Sequence, residues 1–299
     1  MRVFLFPGQG SQYVGMGGNV ADQLPTRRLF ERAGEVLGFD LWNLVQNGDE
    51  ATLTRTENTQ PALFVTEMAW VNALTARGIA CAAAAGHSLG EFSALCAAGV
   101  FSFEDGVRLV RHRGEIMARA ASTSPGTMAA IVGLDDQDLA AALADGRAAG
   151  IVDVANFNAP DQTVVSGETA AVDRVMAAVR AMAKGRAIKL RVGAPFHSSI
   201  MAGGADEFAE LLDEITLSKP QFPVVNNVAA DCEDDPAAIR SNLVAQFRSP
   251  VQWVRTMGAL AQMGATDYLE VGPKNVLATL ARKMVHGAKV EAVEEQAWD

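Results

Sequence analysis

Little in this sequence is available for metal or redox chemistry: its 299 residues include three cysteines and four histidines. Cys81, Cys96 and Cys232 are odd in number and far apart, so they form neither a disulfide framework nor a metal knuckle and are expected as buried thiols. Positive charge is also short. The net charge of −10 argues against a general nucleic-acid or anionic-membrane binder, whose surface would have to be basic. Any basic docking site must then be local. No apolar run approaches the length of a membrane span, and the opening run that ends at Pro7 is too short for a signal peptide, so cytoplasmic residence is expected. Internal repeats and low-complexity tracts are missing as well. What remains, 49% hydrophobic and 20% charged, suits a soluble enzyme with a sizeable core, either one large domain or a main domain carrying an insertion.

Against that background one stretch stands out. Gly86-His87-Ser88-Leu89-Gly90-Glu91 sets a serine between two glycines. An apolar strand is expected before it, over 78–85, and a helix carrying Phe92, Leu95 and Cys96 after it, ending at Gly99. Strand, sharp turn and helix form the context of a nucleophile elbow, in which the helix N-terminus offers free N–H groups to an oxyanion. The same residues also fit a plain helix start capped by Ser88. His87 is expected to point away around the turn, in a structural role.

A compact apolar strand over 2–6 runs into Gly8-Gln9-Gly10-Ser11-Gln12. This loop lacks the lysine and the spacing of a phosphate loop, which leaves a site of close backbone approach or an ordinary β–α connection. Helical period dominates 24–76, with Pro61 expected in the first turn of a helix through Leu63, Phe64, Met68 and Leu74. Another helix starts at the capping pattern Ser102-Phe103-Glu104-Asp105 and runs to about 121. On it, Arg108 has polar neighbours. Arg113 has Leu109, Val110, Ile116 and Met117 at the i±3 and i±4 positions, so its buried guanidinium requires a carboxylate or phosphate, either an internal salt bridge or a bound anion.

After a break at 122–126 the pattern changes to strand 127–132, helix 136–144, strand 151–154, strand 162–166, helix 170–183 and strand 187–192. This is the split-βαβ order of a ferredoxin-like insertion of about seventy residues. A turn-rich segment, 156–160, is expected to face a cleft. The run 184–191 holds four cations in eight residues, as a docking patch or a solvated strand face. His197 follows the insertion and is the best-placed general base, because His112 shares the polar face of Arg108 and His286 lies near the C-terminus. The remainder supplies a strand over 222–228, helices from Pro236 and after Trp253, a strand over 268–271 and a last helix to 285. Strands alternating with helices imply an α/β fold with a mostly parallel sheet covered on both faces.

Phe6-Pro7-Gly8-Gln9-Gly10-Ser11-Gln12, Gly86-His87-Ser88-Leu89-Gly90-Glu91, Arg113-Gly114, Asn156-Phe157-Asn158, Phe196-His197 and Glu270-Val271-Gly272-Pro273 together resemble the malonyl-CoA:acyl-carrier-protein transacylases, a family that includes polyketide-synthase acyltransferase domains. The resemblance covers essentially the whole chain. It implies an α/β-hydrolase-like catalytic domain over 1–123 and 195–299, a ferredoxin-like small domain over 124–194 and an active site between them. By that resemblance Ser88 is the nucleophile, His197 its base, and the backbone N–H groups of Gln9 and Leu89 the oxyanion hole. Arg113 takes the malonyl carboxylate, and Gln60, Asn158 and Phe196 join it among the substrate-binding residues. Gln246 holds the position whose carbonyl orients the histidine, in place of a triad acid. The implied substrate is malonyl-CoA and the implied partner a phosphopantetheinylated acyl carrier protein, with no permanently bound cofactor or metal; a monomer is expected. Phe196 departs from the serine usual in bacterial fatty-acid enzymes and resembles polyketide acyltransferases that select malonyl groups. The expected activity is therefore malonyl transfer in trans to a polyketide carrier, with housekeeping fatty-acid synthesis and carrier-protein editing by hydrolysis as alternatives.

Overall fold

Strand β1 (Arg2–Phe6) is apolar on both faces because each face meets a different core: Val3 and Leu5 belong to one hydrophobic cluster, Phe4 and Phe6 to another. The computed structural model describes residues 1–21, 23–182 and 184–296. In chain order the further strands are β2 (Ala83–Gly86), β3 (Gly126–Val132), β4 (Val152–Ala159), β5 (Gln162–Glu168), β6 (Arg186–Lys189), β7 (Val224–Val225), β8 (Asp267–Glu270) and β9 (Lys289–Ala292). Four of these join β1 in a parallel sheet in the order β7-β2-β1-β8-β9. Helices cover both its faces, as a parallel sheet requires. The chain moves outward on one side of β1 through β2 and β7, then crosses to β8 and β9 on the other. That reversal opens a crevice beyond the carboxyl ends of β1, β2 and β8, where open α/β sheets bind ligands.

The other four strands form an antiparallel sheet in the order β4-β5-β3-β6, the ferredoxin-like arrangement expected from the βαββαβ pattern. Its strands also serve two cores. Ala129 and Ile131 pack under helices Asp136–Arg147 and Thr169–Ala181, whereas Met128 and Ala130 face the main core. The small sheet is stitched to the large unit where Phe157 N–H donates to the Val251 carbonyl and Val251 N–H to that of Ala155.

Four local expectations are corrected. The segment 156–160 is not a loop: β4 continues through Ala159, with register shifts at Val154/Asn156 and Phe157/Ala159, because the bridge to Val251 holds it extended. Strand β2 has four residues, since Gly78 adopts φ 70° and ends the preceding helix, and the chain enters the sheet only at Ala83. Strand β7 shrinks to two residues because the Asn226 side chain accepts from Val228 and Ala229 N–H, turning the chain out of the ladder. Helix Thr56–Ala76 begins five residues before Pro61. A proline there leaves the Glu57 carbonyl without its helical donor, and Arg111 Nη1 supplies one at 2.9 Å. Strand β9 was not anticipated in the sequence. No helix of the described residues is long and apolar enough to cross a membrane.

Candidate active site

Ser88 sits just past the carboxyl end of β2 with φ 54°, a left-handed conformation that non-glycine residues seldom adopt. The glycines beside it are dictated by contact. A Cβ on Gly90 would lie 2.0 Å from the Phe6 carbonyl oxygen, and one on Gly86 would lie 1.8 Å from the Gly90 carbonyl carbon. The strained turn is held from outside by Asn227, whose Oδ1 accepts from Ser88 N–H at 2.7 Å while its Nδ2 donates to the Gly86 carbonyl at 2.7 Å. The turn thus presents the Ser88 hydroxyl into the crevice, and helix Gly90–Ala97 starts directly behind it.

His197 Nε2 lies 2.7 Å from Ser88 Oγ. Its Nδ1 lies 2.9 Å from the main-chain carbonyl of Gln246. An acceptor at Nδ1 puts the proton there and leaves Nε2 as the free base. Burial, with the nearby Arg113 charge adding to it, lowers the His197 pKa to about 3, so the imidazole is neutral throughout the ordinary pH range.

Arg113, on helix Phe103–Thr123, is 2% exposed and packs between the rings of Phe92 and Phe247. The sequence requires an anionic partner for it, yet no ion pair to Arg113 forms among the described residues. Its donors instead meet three neutral oxygens: Gln60 Oε1 at 2.9 Å, Gln246 Oε1 at 2.9 Å and Ser88 Oγ at 3.0 Å. Its Nε has no partner. Burial lowers its pKa to about 9, against the opposing influence of Glu91. A buried guanidinium held by neutral groups beside a nucleophile is a site prepared for a planar anion.

These residues face a cavity of about 240 Å³ between the two sheets. Gln9 and Leu89 are at its wall, and neither main-chain N–H donates a hydrogen bond within the described residues, so both are available to an oxyanion. The Gln9 side chain is anchored by Thr56 Oγ1 at 2.8 Å. Phe196 lines the cavity beside His197, and Asn158 lines it while its Oδ1 accepts from His87 Nε2–H at 2.8 Å. His87 thereby ties β2 to β4, with its ring against Trp253, the structural role expected of it. The small sheet contributes Met128, Val164, Leu190 and Val192 as an apolar wall.

Not every expected residue reaches the cavity. Gln60 lies behind Arg113, 1% exposed, and holds the guanidinium instead of lining the space. The cationic run is half consumed: Lys184 pairs with Asp138 and Asp135, and Lys189 with Asp173, while Arg186 and Arg191 stay exposed without an ion pair among the described residues. His112 is exposed, and His286 lines a separate groove. Two buried groups at the site had no assignment in the sequence, Asn227 and Glu91. Among the described residues no cluster of three or more His, Cys, Asp or Glu side chains suits a metal ion.

Residues 3–296 match the family model described as "Acyl transferase domain". The chain is 44% identical to a malonyl CoA-acyl carrier protein transacylase of Salmonella typhimurium, over 98% of this chain and 96% of that one. It is 43% identical to the protein of that name from Escherichia coli K12, over 98% and 95%. Among solved structures, an acyl carrier protein S-malonyltransferase from Vibrio cholerae superposes with a TM-score of 0.93 at 40% identity, covering 98% of this chain and 96% of that one. A malonyl-transacylase solved with a type II PKS acyl-carrier protein superposes with a TM-score of 0.96 at 40% identity, covering 99% and 97%.

Proposed function

The chain belongs to the acyl transferase domain family, and we propose that it moves a malonyl group from malonyl-CoA to the phosphopantetheine thiol of an acyl carrier protein. The observation that carries this reading is Arg113, an unpaired buried cation 3.0 Å from the Ser88 hydroxyl on the floor of the cavity. Only an acyl group with its own carboxylate completes that arrangement.

The residues then divide the work as follows. His197 Nε2 takes the Ser88 proton as Oγ attacks the thioester carbonyl, and the N–H groups of Gln9 and Leu89 receive the oxyanion. Collapse expels the coenzyme A sulfur, which recovers the proton from His197. The malonyl ester waits on Ser88 with its carboxylate on Arg113. The carrier thiol, deprotonated by His197, attacks the ester; the tetrahedral adduct collapses, the malonyl thioester leaves, and Ser88 Oγ regains the proton. The Gln246 carbonyl orients His197 throughout, but a neutral acceptor stabilises imidazolium less than a carboxylate would.

In this reading the protein is a free-standing acyltransferase that loads, in trans, the carrier protein of a polyketide synthase. Phe196 supports it, because its ring lines the cavity beside His197, and by the family resemblance a bulky ring there leaves little room for an α-substituent. The relative solved with a type II PKS carrier supports it as well. Service to fatty-acid synthesis is the second reading, favoured by the higher identity of the enteric transacylases. The decisive experiment incubates the protein with malonyl-CoA, methylmalonyl-CoA or acetyl-CoA and weighs it intact, then adds holo-carriers of each pathway and compares kcat/KM. Malonyl mass on Ser88 that passes to a carrier is expected. Release of free malonate with no loaded carrier overturns the transferase reading in favour of an editing hydrolase.

A further inference from the structure

Glu91 is a buried ionisable group at this site that the reaction above leaves without a task. It lies in the first turn of helix Gly90–Ala97, 2% exposed, and its Oε2 accepts from Gln246 Nε2 at 2.6 Å and from Asn227 N–H at 3.1 Å. Gln246 is the hub of the site. Its side-chain Oε1 accepts from Arg113 Nη2, its Nε2 donates to Glu91, and its main-chain carbonyl meets His197 Nδ1. A guanidinium on one side and a carboxylate on the other allow the amide a single orientation, oxygen to the cation and N–H to the anion.

We propose that Glu91 is a positioning residue that works as an anion: through the Gln246 amide it holds Arg113 and His197 in place and offsets the Arg113 charge that opposes imidazolium formation. The proposal rests on the transferase reading. Arg113 has no carboxylate of its own among the described residues, so Glu91, one amide away, is its balancing charge within the protein. Among the described residues the other titratable group facing Glu91 is Glu233, which shares with it a cavity of about 10 Å³ lined also by Asn226 and Asn242. That is about the space of one water molecule.

The electrostatics distinguish this role from simple packing. Burial raises the Glu91 pKa to about 7, with the hydrogen bonds from Gln246 and Asn227 and the Arg113 charge opposing. His197, at about 3, is too low to produce an acid limb near neutrality. Malonyl loading should therefore rise with pH through about 7 as Glu91 ionises.

The test measures Ser88 malonylation from pH 5.5 to 9 for wild type, Glu91→Gln and Glu91→Asp, with kcat and KM separated. Glu91→Gln keeps the shape and removes the charge. It is expected to lower kcat about tenfold without raising KM and to lose the acid limb, a tenfold change being about 1.4 kcal/mol. Glu91→Asp keeps the charge but draws it one methylene back from Gln246, so kcat falls and the limb remains. Wild-type kcat and pH profile in Glu91→Gln, or a change confined to KM, overturns the proposal. If Glu91→Gln does not fold, wild-type kcat in Glu91→Asp overturns it by itself. Wild-type protein that takes up no malonyl mass overturns the transferase reading and this proposal with it; normal wild-type loading beside an unaltered Glu91→Gln overturns this proposal alone.

Discussion

Arg113 Nη2 donates a hydrogen bond of 3.0 Å to Ser88 Oγ, so the cation that awaits the acyl carboxylate also touches the nucleophile of the free protein. The hydroxyl is shared between Arg113 and His197 Nε2. A carboxylate that draws the guanidinium onto itself frees the hydroxyl for the base and at the same time offsets the Arg113 charge that adds to burial in lowering the His197 pKa.

Arg113→Ala should therefore lower kcat/KM for malonyl-CoA by at least about 30-fold, since removing one member of a buried charge pair costs about 2–5 kcal/mol, while acetyl-CoA is affected far less. Arg113→Lys should recover only part, because an ammonium lacks the planar fork. Competition between malonyl-CoA and acetyl-CoA read by intact mass tests both; unchanged selectivity in Arg113→Ala removes the clamp from the account.

Phe196→Ser should admit an α-methyl group. The ring lines the cavity beside His197, and one methylene of fit is worth about tenfold or more in discrimination. The ratio of methylmalonyl to malonyl loading should rise by about tenfold, as read from carrier mass. A ratio equal to wild type would show that another wall limits the space.

Asn227→Ala should loosen the elbow. It strips partners from the Ser88 N–H and the Gly86 carbonyl together, and each buried group left unpaired costs about 1–3 kcal/mol. Urea unfolding should show a loss of about 2 kcal/mol or more, and Ser88 acylation should slow. Wild-type stability would mean that the turn holds its own strain.

The stability of the protein should fall toward alkaline pH, by a route separate from catalysis. Glu67 is fully buried near Glu270, and burial, reinforced by that second carboxyl, pushes its pKa well above the usual range. A group whose folded pKa is raised contributes stability below its unfolded value, near 4.5, and loses it as pH rises through the folded value. Glu91 and Glu270, both raised to about 7, act in the same direction. Glu67→Gln cannot ionise. Between pH 5 and pH 9 its Tm should fall less than that of wild type in a thermal melt; parallel curves would place the alkaline loss elsewhere.

What was legible in the sequence is what short spacing controls. Gly86, Ser88 and Gly90 announce the elbow because a tight turn is a contact between near neighbours, and Arg113 announces a buried cation because the residues at its i±3 and i±4 positions are apolar. The βαββαβ order of the small sheet follows from alternating periods in the same way. Segment 156–160 misled because Asn, Ala and Pro favour turns locally, whereas the bridge to Val251 decided the matter from a distance.

The resemblance names Gln246, but its meeting with Glu91 and Asn227 could not be read in advance, since Asn227 and Gln246 lie 136 and 155 residues from Glu91 along the chain and no local period links them. The residue types of the nucleophile, the base and the buried cation were set in the sequence by local steric and solvation demands. Tertiary packing alone decided which oxygens receive Arg113, which carbonyl sets the His197 tautomer and which carboxyl balances the charge, because hydrogen bonds within a buried site depend on positions that only the closed fold brings within 3 Å.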